Sequence, residues 1–206
     1  MSDHPSIEAI VIGGSAGAIE ALNRILPALP GDFALPVAVV LHVLPTKPSL
    51  LTNVLGPRCA VRVKEAEDKE PLAAATVYVA PPNYHLLIER RRWFSLSCDT
   101  PVHYSRPSID VLFDSAADAY GSHLLAVLLS GANNDGVQGL AAVGSKGGLA
   151  IVQSPETAAV PTMPEAALRA SNPTHVLPLS EIAPFLVRAA ARPQRTPVTP
   201  TSAGAQ

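Results

Sequence analysis

The sequence predicts an α/β fold: a doubly wound, mostly parallel sheet with helices on both faces and an irregular β-hairpin at its edge. Three observations carry this. Short continuous apolar runs rich in β-branched residues recur at 9–12, 37–41, 124–129 and 149–152. They are too short for ordinary helices, and runs apolar on both alternating faces suit strands buried on both sides, as in parallel sheets. Segments of helical spacing separate them, and strand–helix alternation is the pattern of a parallel sheet with crossovers. The length of 206 residues suits one domain with a sizeable core.

In chain order, the first strand runs into Gly13-Gly14-Ser15-Ala16-Gly17. Ile19, Leu22, Ile25 and Leu26 then share one face of a helix over 18–29, stopped by Pro30-Gly31. The second strand, 37–41, ends in His42, and a proline-broken loop runs to Pro48. Ser49 is placed to cap a short helix over 50–55. The middle third holds short strand-like pieces at 61–63, 76–80, 86–89 and 93–96, parted by Pro, Asn and charged turns, an irregular edge with one hairpin whose solvated tip is Arg90–Arg92. After Arg106-Pro107, Ser108 caps a helix carrying Ile109, Leu112, Phe113, Ala116 and Tyr120 on one face, and Gly121 ends it. The strand 124–129 leads into Ser130-Gly131-Ala132-Asn133-Asn134-Asp135-Gly136 and a helix over about 137–145. A strand 149–152, a helix 164–171, a strand 175–177 and a helix 180–191 close the domain, residues 1–191. Residues 192–206, rich in Pro, Thr, Ser and Ala without apolar period, are expected to be a disordered tail.

Composition narrows the function. A net charge of −2 with no basic run beyond Arg90–Arg92 gives no electrostatic reason to expect nucleic acid. No apolar segment is long enough to span a bilayer, and the N-terminus lacks a signal-peptide pattern. Cys59 and Cys98 stand in no metal or redox spacing and suggest a reducing cytosol. No histidine pair has metal-ligand spacing, so no metal site is expected.

Ligands in open α/β sheets bind beyond the carboxyl ends of the strands. Three such ends carry reactive residues: Ser15, His42 and Asp135. Gly13-x-Ser15-x-Gly17 fits the sharp elbow that exposes a nucleophilic serine. A phosphate or dinucleotide loop is the other reading, and from this stretch alone both stay open. Against it, a Rossmann loop would want glycine where Ser15 stands and an acidic residue where His42 ends the next strand. A P-loop is excluded by the missing Gly-Lys-Ser/Thr. Serine needs a base to take its proton, imidazole does so near neutral pH, and a carboxylate behind it fixes the tautomer. Taken singly, His42 could merely end a strand, and Asp135 could be a turn residue capping the next helix. His85, in the turn after a strand, lies either beside the site or on the surface. The order Ser, His, Asp differs from that of α/β-hydrolases.

Five ordered motifs resemble the catalytic domain of the chemotaxis protein-glutamate methylesterase family. They are Gly13–Gly17, the strand ending in His42, Ala80-Pro81-Pro82-Asn83-Tyr84-His85, Arg106-Pro107-Ser108-Ile109-Asp110-Val111-Leu112-Phe113 and Leu129–Gly136, and the resemblance covers roughly residues 7–190. It implies cytoplasmic hydrolysis of glutamate γ-methyl esters on chemoreceptor helices, with glutamine deamidation at the same sites, through a triad of Ser15, His42 and Asp135 and without a cofactor. The oxyanion and substrate-binding candidates are Ala16, Ala132, His85 and Arg106.

The sequence departs from the family at Ala18, where a glycine is usual, and at Ala132-Asn133, where Met-Gly is usual. With a first strand expected within ten residues of Met1, the family's usual N-terminal receiver domain is not expected in this chain. The expectation is then constitutive activity or control by a separate regulatory protein. Two alternatives remain: a non-catalytic signalling module, and a serine esterase or amidase with another substrate.

Overall fold

The structure, a computed structural model, describes residues 6–42 and 50–191. The proline-broken loop after His42, the Ser49 cap and the tail expected to be disordered lie outside the described residues.

In chain order the elements are β1 (Ala9–Gly14), α1 (Ala18–Ile25), β2 (Val37–Leu41), α2 (Leu51–Leu55), β3 (Arg62–Glu65), β4 (Thr76–Val79), β5 (His85–Ile88) and β6 (Phe94–Ser97). There follow α3 (Ile109–Tyr120), β7 (Leu124–Leu128), α4 (Val137–Ser145), β8 (Leu149–Gln153), α5 (Thr162–Ala170), β9 (His175–Leu177) and α6 (Leu179–Ala190). Seven strands form a parallel sheet in the order β3-β4-β2-β1-β7-β8-β9. The doubly wound α/β architecture is therefore observed. The expected irregular edge resolves into two parts. β3 and β4 complete the parallel sheet, while β5 and β6 pair only with each other, antiparallel, as a separate two-stranded sheet. Leu86, Ile88 and Phe94 of that hairpin are buried in the core shared with α3.

The strands alternate as their period of two requires, and both faces are apolar. Ile10 and Ile12 of β1 pack with Leu22 and Ile25 of α1 and Ile182 and Leu186 of α6. Ala9 and Val11 face the opposite core, with Leu112 and Phe113 of α3, Leu140 and Val143 of α4 and Met163 of α5. Burying both faces explains why these strands read as continuous apolar runs rather than alternating ones.

One expected feature differs locally. The helix over 18–29 is α-helical only to Ile25; Leu26–Ala28 tighten into a 3₁₀ turn, because Pro27 has no N–H to continue the α-helical ladder. At the hairpin tip Arg90, Arg91 and Arg92 are all exposed as expected, and Arg92 in addition makes two contacts across the surface. Its guanidinium pairs with Glu8 at 2.5 Å and lies over the Tyr120 ring, 4.9 Å from the centroid.

The chain winds outward from β1 to β2 and beyond, then returns to β7 on the other side of β1. The order reverses between β1 and β7, and that is where open α/β sheets form their binding crevice. Registers fix what arrives there: Gly14 lies beside Leu41, and Gly13 beside Leu128. The residues that follow β1, β2 and β7 thus emerge at one edge. Among the described residues no helix is long and apolar enough to cross a membrane.

α3 and α4 meet closely over this edge. A Cβ built on Gly139 would lie 2.6 Å from the Phe113 Cβ and 3.0 Å from the Asp110 carbonyl oxygen. Neither contact is the free end of a flexible side chain. Gly139→Ala is expected to destabilise the fold by roughly 1–3 kcal/mol through overpacking. In a chain of this size a melting curve should register about 2–4 °C of lowered Tm for each kcal/mol.

Candidate active site

Ser15 is the first residue beyond β1. Its N–H donates to the Ser130 carbonyl at 2.9 Å and its own carbonyl accepts from Ala18 N–H at 3.0 Å, so the elbow is fixed on both sides. Gly17 turns it with φ of +81°. A Cβ there would also come within 2.9 Å of the Ser130 hydroxyl, so an L side chain meets strain and contact at once. That hydroxyl donates to the Ala16 carbonyl at 2.7 Å and accepts from Val160 N–H at 2.9 Å, tying the elbow to the segment before α5. Ala18, the departure from the family's usual glycine, is the first residue of α1; it is buried and does not have a positive φ.

His42 is the first residue beyond β2. Its backbone N–H donates to the Gly14 carbonyl at 3.3 Å. Its ring bridges two residues distant in sequence: Nδ1 lies 3.2 Å from Ser15 Oγ, and Nε2 lies 2.8 Å from Asp135 Oδ2. An ionised carboxylate only accepts hydrogen bonds, so the proton sits on Nε2 and Nδ1 faces the Ser15 hydroxyl as an acceptor. Ser15 and the ring are part-exposed, whereas the Asp135 side chain is fully buried.

Asp135 lies in the loop after β7 and is held by the start of α3. Its Oδ1 accepts from Ser108 Oγ at 2.8 Å and from Asp110 N–H at 3.0 Å; its Oδ2 accepts from Ile109 N–H at 2.7 Å as well as from His42. Burial by itself would raise this carboxyl's pKa. The bonds from His42, Ile109, Asp110 and Ser108 outweigh it and hold the pKa below the ordinary value. The start of a helix is where unpaired N–H groups and the helix dipole favour an anion. Asp135 stays ionised and dry, with one lone pair aimed at the imidazole.

Asp110 is a second buried carboxylate on the same turn. Its Oδ1 accepts from Gly139 N–H at 2.7 Å. Among the described residues its Oδ2 makes no hydrogen bond, although His103 Nε2 stands 3.3 Å away. Burial, and after it the Asp135 charge, push the Asp110 pKa up against the opposing pull of Gly139 N–H and His103.

The remaining candidates divide. Ala16 and Ala132 are both exposed at this edge, and neither N–H has a hydrogen-bond partner among the described residues. Asn133 Oδ1 accepts from Asp135 N–H at 3.3 Å, an Asx turn that shapes the loop. His85 is buried, only 2% exposed, its Nδ1 accepting from Ser108 N–H and its Nε2 donating to the Thr100 carbonyl. Arg106 spends four of its five donors on the protein: Nε and one terminal nitrogen bond Asn83 Oδ1, and the other bonds the carbonyls of Cys98 and Asp99. As a substrate ligand His85 would have to break these bonds first, whereas Arg106 keeps one N–H of its Asn83-bound terminal nitrogen unspent. Sequence reading did not find Ser130 or the Ser108–Asp135 contact. Ser108 was legible as a helix cap, but nothing local announces a partner 27 residues away.

A hydroxyl against an imidazole that is backed by a buried carboxylate is the arrangement for nucleophilic acyl transfer. A family model described as CheB methylesterase matches residues 10–186. A Leptospira interrogans protein, provisionally named protein-glutamate methylesterase/protein-glutamine glutaminase, is 48% identical over 181 residues, 88% of this chain and 94% of the relative. An Archaeoglobus fulgidus protein-glutamate methylesterase/protein-glutamine glutaminase is 38% identical over 182 residues, 87% of this chain but 52% of the relative. The chain thus spans nearly all of one relative and about half of the other. The crystal structure of the Thermotoga maritima CheB methylesterase catalytic domain superposes with a TM-score of 0.85 at 34% identity, covering 89% of this chain and 98% of that one.

The two carboxylates make opposite contributions to stability. Asp135 has a lowered folded pKa, so its contribution is present above the unfolded value and is lost as pH falls through the folded value. Asp110 has a raised one, so its ionisation opposes folding, and that opposition disappears as pH falls through its folded value. Asp110→Asn keeps an acceptor for Gly139 N–H and removes the charge. Melting curves against pH should show a higher Tm than the unsubstituted protein at pH 7 and convergence of the two in acid. Equal Tm values at pH 7 would contradict the assignment.

Proposed function

Because the chain belongs to the CheB methylesterase family, we propose that it hydrolyses glutamate γ-methyl esters on chemoreceptor helices, with Ser15 as nucleophile, His42 as general base and Asp135 as the group that orients and stabilises His42. The observation that carries this reading is the single imidazole within hydrogen-bond distance of both Ser15 and Asp135, residues that the chain separates by 120 positions.

Ser15 Oγ attacks the ester carbonyl as its proton passes to His42 Nδ1. The imidazolium so formed lies against the Asp135 carboxylate, which the start of α3 keeps ionised. The carbonyl oxygen becomes an oxyanion, and the N–H groups of Ala16 and Ala132, which have no hydrogen-bond partner among the described residues, are the donors proposed to receive it. Collapse of this intermediate expels methoxide, which takes the proton from His42 and leaves as methanol. Water then attacks the acyl-serine, giving its proton to His42, and the reverse collapse releases glutamate and restores Ser15. A glutamine side chain would follow the same course with ammonia as the leaving group, in keeping with the second activity in the relatives' names. The receptor segment is proposed to be cytoplasmic.

Methanol release from methylated receptor membranes tests it. Ser15→Ala should abolish the release above background. Asp135→Asn should lower kcat by about 10⁴-fold, since the amide favours the wrong imidazole tautomer. Undiminished release by Ser15→Ala would remove the nucleophile assignment. Receptor binding without any release by the unsubstituted protein would favour the non-catalytic module, and cleavage of simple esters but not methylated receptor would favour another esterase.

A further inference from the structure

His85 is a buried imidazole that the chemistry above does not use. It opens β5, and its ring is wedged between two backbone groups: Ser108 N–H donates to Nδ1 at 3.2 Å, and Nε2 donates to the Thr100 carbonyl at 3.2 Å. A backbone N–H can only donate and a carbonyl can only accept. The ring is therefore neutral, with its proton on Nε2.

Ser108 is no ordinary neighbour. It is the N-cap of α3, with φ −108° and ψ 140°. Its hydroxyl and the next two N–H groups, of Ile109 and Asp110, are three of the four donors on Asp135. In the usual capping box the side chain three residues on, Glu or Gln, reaches back to the N-cap N–H. Here that position is Val111, which has no acceptor to offer. The His85 imidazole fills the same role from another strand.

We propose that His85 is a positioning residue for the hydrolysis. By holding the Ser108 peptide from behind, it fixes the angle at which the first turn of α3 presents its donors, and so keeps Asp135 Oδ2 against His42. The relay runs from His85 through Ser108, Asp135 and His42 to Ser15, and His85 touches neither substrate nor reacting atoms. The proposal rests on the esterase reading.

The test is a mutant cycle in the full chain, read by kcat and KM for methanol release and by Tm. His85→Leu fills the space but offers Ser108 N–H no acceptor. It is expected to lower kcat by about 10–100-fold, the scale found when a partner behind a reacting group is removed, with KM changed less than about twofold. In the Asp135→Asn background the same substitution should cost nothing further, because the two act through one carboxylate. His85→Asn places an acceptor near the position of Nδ1 and should recover most of the rate. His85→Gln, whose amide reaches towards Thr100 instead, should not. If the Leu variant fails to fold, the Asn and Gln variants decide by that order. Full kcat in His85→Leu, a loss confined to KM, an equal fold-loss in both backgrounds, or equal rates for Asn and Gln would each overturn the inference. Absence of hydrolysis by the unsubstituted protein would instead overturn the esterase reading, and this one with it.

Discussion

A carboxylate with no exposed surface must find donors for both oxygens, and the way Asp135 does so organises this molecule. Left unpaired, a buried charge of this kind would neutralise or unfold its surroundings. Here it sits on the N-terminus of α3, where three donors from Ser108, Ile109 and Asp110 meet it without competition from water. One position is left, and His42 takes it. The tautomer of the imidazole, and hence the nitrogen that faces Ser15, follows from a helix end that lies in a different part of the chain.

The rest of the fold brings that helix end to the right place. The strand order reverses between β1 and β7, so the peptides leaving β1, β2 and β7 share one edge. α3 packs on one face of the sheet with its first turn at this edge, in close contact with α4, where Gly139 allows the two backbones to approach. A second acidic residue, Asp110, is tolerated on the same turn at some cost to stability, because its other oxygen is met by Gly139 N–H. The site therefore combines one carboxylate kept charged by donors with a neighbour whose charge burial opposes.

Much of this was legible in the residues. Strands apolar on both faces identified the parallel sheet, and the position of Ser15, His42 and Asp135 just past three strand ends identified the edge. Ser108 read as a helix cap. Periodicity says which face of an element a residue takes, but not which distant loop will meet it, and that is where sequence reading stopped. His85 and Arg106 carried the right chemistry for a site. The His85 ring is instead taken up by backbone partners at Ser108 and Thr100, and most of the Arg106 donors by the Asn83 side chain and the carbonyls of Cys98 and Asp99, long-range facts with no local signal. Likewise the piece read as a sheet edge became a separate hairpin, because Leu86, Ile88 and Phe94 are buried against α3 instead of extending the parallel ladder.

The claim most exposed to direct measurement is the orientation of the His42 ring, with Nε2–H on Asp135 and a bare Nδ1 towards Ser15. Nitrogen-15 and proton NMR of the histidine side chains, at a pH where the ring is neutral, reports it without substrate. The account predicts a protonated Nε2 with a strongly deshielded proton and an unprotonated Nδ1 for His42, the deshielded signal vanishing in Asp135→Asn. A His42 ring protonated on Nδ1, or a signal indifferent to Asp135, would contradict it.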